Sequence, residues 1–171
     1  MTSDKLIECQ KMFRHACAFA ECADIAREKF QHDTADIDWY ITPSVVNSAF
    51  SCEVYLKALL LFHDIKFEDH LKGKKRHEMK ELYGLLPEDT RDRVKQTAIT
   101  NGGNWEDPFG FERIDNISDA FVKWRYSFEH DWSKSSMMKI DVGFLSAFRN
   151  ALREACCQVF FKKAWREYST N

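Results

Sequence analysis

From residue 4 to about residue 31, apolar side chains recur at spacings of three and four: Leu6, Ile7, Met12, Phe13, Ala16, Ala20, Ile25 and Phe30, with no proline or glycine among them. A period near 3.6 marks one face of a helix, so the spacing predicts a long amphipathic first helix. His32 to Tyr40 reads as a polar turn. Thr42 then offers a cap and Pro43 the first position of a second helix, where a missing N–H does no harm. Val45, Ala49, Cys52, Leu56, Leu59 and Leu60 share one face of that helix, which should be the most buried element. Lys72 to Arg76 interrupts the pattern with a glycine and four cations. His77 to Leu86 and Pro87 to about Ile99 read as two short helices divided at the proline. Asn101 to Phe111, with adjacent glycines and Pro108, reads as a loop. Ser118 is placed to cap a helix carrying Arg125, and Ile140 or Asp141 opens a final helix to about Tyr168. The expected fold is all-α: an antiparallel four-helix up-down bundle with short additional helices, forming one domain over residues 1–171.

Composition narrows this only in places. At 171 residues the chain can bury one substantial core, and six glycines with three prolines leave few points where a helix must stop. A net charge of −2 predicts no global attraction to nucleic acid or anionic membrane, which leaves local patches to consider. Lys72, Lys74, Lys75 and Arg76, with Lys80 close behind, form the one dense basic cluster; it suits a phosphate backbone, or is a solvated turn. The six cysteines include no Cys-x-x-Cys pair, so no zinc framework is expected, and adjacent Cys156 and Cys157 should leave at most one thiol in the core. His63, His70 and His77 are spaced by seven, yet Gly73 and its cationic neighbours separate them; neither metal nor cofactor is expected. The opening Met-Thr-Ser-Asp-Lys has no apolar secretory core, and the apolar run Ala58 to Phe62 is short, so the expected location is the cytoplasm, with reduced thiols.

The candidate chemistry lies in residues 121 to 130, Phe-Val-Lys-Trp-Arg-Tyr-Ser-Phe-Glu-His. Arg125 supplies a permanent planar charge suited to phosphate, and His130 a side chain that exchanges protons near neutral pH. At about 100° per residue, Arg125 falls about 40° from Phe121 and His130 about 180° from it. A joint site therefore needs the helix to end near Glu129 or a second subunit to complete it. Structurally, Arg125 could instead pair with Glu129, four residues on, or with Glu53 beside the apolar face of the second helix. His77 either anchors its short helix or lines a site, and Trp124, Phe128 and Trp132 either pack or stack on bases.

Three segments together resemble the HEPN superfamily in order and spacing: Ser48 to Leu60 (Ser-Ala-Phe-Ser-Cys-Glu-Val-Tyr-Leu-Lys-Ala-Leu-Leu), His77-Glu78-Met79-Lys80-Glu81-Leu82-Tyr83 with Leu86-Pro87, and Trp124 to Glu129 (Trp-Arg-Tyr-Ser-Phe-Glu). The resemblance covers roughly residues 40 to 165. It implies a helical bundle, a homodimer, and membership of prokaryotic toxin or anti-phage systems in which an Arg-x4-6-His motif cleaves RNA without metal. By position that motif falls on Arg125 and His130, with Glu129, Glu53 and His77 as supporting residues and an antitoxin or neighbouring defence protein as partner. Tyr126 follows the arginine where catalytic members usually carry a small polar residue. The resemblance therefore also admits a non-catalytic module that dimerises or binds nucleotide or protein, with a structural arginine–glutamate pair.

Overall fold

The computed structural model describes residues 3–32, 37–100, 111–125 and 140–170; of residues 30–32, 37–39, 98–100 and 111 it describes the backbone alone. Among the described residues every regular element is helical, without strands. The long helices are α1 (Ser3–His32), α2 (Ile37–Phe62) and α8 (Val142–Phe161). Between α2 and α8 lie α3 (Phe67–His70), a 3-10 turn (Gly73–His77), α4 (Met79–Gly84), α5 (Glu88–Thr100), α6 (Phe111–Asp115) and α7 (Ala120–Arg125), and α9 (Trp165–Ser169) follows α8.

α1 and α2 run antiparallel in a register written in hydroxyls. Ser51 Oγ donates to the Ala16 carbonyl at 2.8 Å and Ser44 Oγ to that of Ala23 at 3.1 Å. Small side chains on both helices allow that approach, and each buried serine is satisfied by the neighbouring backbone. α8 lies parallel to α2 across the core: Arg149 reaches Ser48, and Cys156 reaches the Tyr55 carbonyl, at the same offset. Val45, Ala49, Cys52, Leu56, Leu59 and Leu60 are all fully buried, as the second helix's pattern predicts. By length and composition alone Tyr40–Phe62 could cross a membrane, yet in this fold most of it is covered by protein.

Several expectations are corrected. α2 starts at Ile37, so Pro43 stands inside the helix, where it removes one backbone bond to the preceding turn. Ile7 and Ile25 are about half exposed. Both sit about 120° around α1 from Phe13, and Cys9, Ala23 and Ala26 occupy the buried stripe in their place. Ser118 does not cap the helix of Arg125: its carbonyl accepts from Met79 N and its hydroxyl from Lys80 N, so it caps α4 across the fold. Asp141 does open the last long helix, accepting from Phe144 N at 2.8 Å. That helix stops at Phe161 because Lys162 turns left-handed (φ 57°), and α9 folds back with Trp165 N donating to Glu154. This return covers a second side of α8, and both Cys156 and Cys157 are buried rather than one. Burial pushes the Cys157 thiol up to about 11 and the Cys52 thiol to about 12. Phe111 is helical; the rest of the expected loop, residues 101–110, lies outside the described residues.

Candidate functional site

Arg125 stands at the end of α7, exposed to solvent. Its guanidinium lies over the Phe121 ring, 4.8 Å from the centroid, as a spacing of four residues on a helix allows. Phe121 in turn stacks on Phe50 of α2 (4.9 Å, 25° between planes), and Phe50 meets Phe19 of α1 edge to face at 4.6 Å. A column of three partly buried rings thus runs from the α1–α2 pair to the arginine. Trp124 is half-buried against the core. Tyr126, Phe128, Glu129, His130 and Trp132 lie outside the described residues.

Glu53 belongs to a different cluster. Only 3% of it is exposed, and its Oε1 accepts from Lys57 Nζ at 2.7 Å and faces His77 Nδ1 at 2.8 Å. The arginine–glutamate pair drawn between Arg125 and Glu53 is therefore not formed: Glu53 is engaged by Lys57 and His77. Its second oxygen, Oε2, is buried and has no hydrogen-bond partner among the described residues. A carboxylate on Nδ1 fixes that nitrogen as the donor, on a side chain 47% exposed. Lys57 also lies over the Phe67 ring at 4.7 Å, at the wall of a cleft of about 270 Å³ lined by Met12, Leu61, Ile65, Lys66 and Phe67.

The basic cluster forms the 3-10 turn, which starts at Gly73 with φ +56°, a conformation glycine adopts without strain. Its four cations have unlike roles. Arg76 folds inward, with Nε donating to the Leu71 carbonyl at 2.9 Å and Nη2 to that of Glu68 at 3.4 Å. Lys75 pairs with Glu81 at 3.2 Å, and Lys72 and Lys74 point into solvent. Nearby, Lys80 pairs with Asp115 at 3.2 Å.

The evenly spaced histidines separate. His63 meets Thr90 Oγ1 at 2.8 Å, His70 ends α3 in solvent and His77 sits on Glu53. Among the described residues no three His, Cys, Asp or Glu side chains converge as metal ligands. The turn before α7 meets α4 through Ser118, Phe121 meets Phe50, and Arg125 lies a further turn along α7.

Sequence reasoning named Glu53 and His77 but missed Lys57, although Glu53 and Lys57 stand at i and i+4 on one helix, a spacing that brings such side chains together. It also missed the ring column, whose Phe50 and Phe19 come from elements far away in sequence. No protein-family model, no curated protein and no solved structure matches this chain.

Proposed function

We propose that this chain is a HEPN-like helical bundle acting as a metal-independent endoribonuclease of a toxin or anti-phage defence system, working as a homodimer and restrained by a partner protein. The single observation that carries this reading is the exposure of Arg125, whose guanidinium rests on the Phe121 ring at the surface. The resemblance of three segments to the superfamily supports it. In this reading Arg125 stabilises negative charge on the phosphate oxygens, and His130 moves a proton as the ribose 2′-hydroxyl attacks the adjacent phosphorus. Two copies supply the general base and the general acid together, and the product end is a 2′,3′-cyclic phosphate. DNA, with no 2′-hydroxyl, is left intact. Lys72 and Lys74, the outward cations of the basic turn, contact the RNA backbone.

The test is incubation of wild-type, Arg125→Ala and His130→Ala protein with mixed cellular RNA in excess chelator, followed by analysis of product ends. Wild type should produce cyclic phosphate ends; each variant should be slower by about 10² or more with a nearly unchanged Tm. RNA left intact by all three, with Arg125→Ala melting early, would instead assign a non-catalytic module in which the arginine is structural.

A further inference from the structure

The ring column beneath Arg125 has no part in the reaction as drawn, and a surface arginine does not need three aromatic side chains from three helices merely to remain hydrated. An arginine side chain has four rotatable bonds, so a guanidinium in water samples many directions, and a ring packed against it removes part of that freedom. Phe121 is itself held between Phe50, stacked at 4.9 Å, and the guanidinium at 4.8 Å, and Phe50 is braced edge-on by Phe19. The orientation of the arginine is thereby coupled to the packing of α1 on α2. We propose that Phe121 is a positioning residue for Arg125, with Phe50 as its brace, presetting the guanidinium plane toward a phosphate. This rests on the reading of Arg125 given above.

The test compares Phe121→Leu, Phe121→Tyr and Phe50→Leu in the full chain. With an RNA substrate, Phe121→Leu should lower kcat about tenfold with KM within about twofold, Phe121→Tyr should keep kcat within about twofold, and Phe50→Leu should fall between them. Loss in Leu and Tyr variants alike marks simple packing and overturns the proposal, as does wild-type kcat in Phe121→Leu. A second readout needs no activity: NMR of the Arg125 side chain, whose δ protons should carry a ring-current shift that collapses in Phe121→Leu and persists in Phe121→Tyr. If wild type cuts no RNA, the nuclease reading fails, and the NMR still decides this inference. Unshifted Arg125 protons in wild type overturn it; shifted protons that relax in Phe121→Leu sustain it.

Discussion

At the scale of single residues, the buried polar groups carry the most information. Glu53, Lys57 and His77 show a carboxylate buried by α2 and satisfied on one oxygen only, an arrangement that makes the cluster sensitive to loss of either neighbour. His63 is a simpler case. Burial outweighs the pull of Asp89 and holds its pKa below the ordinary 6.5, with Lys5 acting in the same direction, while Nε2 meets Thr90 Oγ1. Between the folded pKa and 6.5 the unfolded chain binds the proton better, so the contribution of His63 is fully present above 6.5 and is lost as pH falls through the folded value. Stability measured by urea midpoint should drop as pH falls through 6.5, and His63→Gln should flatten that drop. An equal slope in the variant would show that other groups set the acid limb.

At the scale of elements, what the sequence pattern reveals is periodicity, and what it conceals is context. The buried face of α2 is legible because six apolar residues repeat at helical spacing in an element covered on several sides. The start of α2 is not, because a proline at a helix's first position and one inside it leave the same local signature once residues 37–42 add a preceding turn. Ser118 looked like a local cap, yet its acceptor atoms serve an α4 nearly forty residues earlier. The break between α8 and α9 has no glycine to announce it: Lys162 takes the left-handed cap itself, at φ 57° and ψ 31°. Such a backbone is strained for a residue with a Cβ, so Lys162→Gly should stabilise the protein by about 0.5–1 kcal/mol, less the added freedom of the unfolded chain. A urea titration should show a higher midpoint at unchanged slope. A lower midpoint would mean that the lysine side chain matters more than the cap. Of the candidate site, Arg125 and the Glu53–His77 cluster were legible as residue types. The ring column was not, since it depends on how α1 and α7 lie against α2.

At the scale of the whole molecule, the three long helices are joined by a polar seam centred on Arg149. Only 2% exposed, it donates to the Ala20 carbonyl (3.3 Å), Ser48 Oγ (3.4 Å) and Asp24 (2.5 Å), touching α1 and α2 from α8. Its Nε has no partner among the described residues, so the network is incompletely satisfied. The pair is asymmetric, because the Asp24 side chain is 44% exposed and stays hydrated when its partner is removed, whereas the guanidinium does not. Removing the carboxylate strands a buried cation, which costs about 3–5 kcal/mol; removing the cation leaves a surface aspartate and a space that an unbranched apolar chain fills. Asp24→Ala should therefore lower stability more than Arg149→Met, and in the Arg149→Met background Asp24→Ala should be nearly neutral. A double-mutant cycle by urea unfolding should return a coupling of about 3–5 kcal/mol. Additive losses would place the seam's contribution in packing, and the register of α8 on the α1–α2 pair would then rest on its apolar face alone.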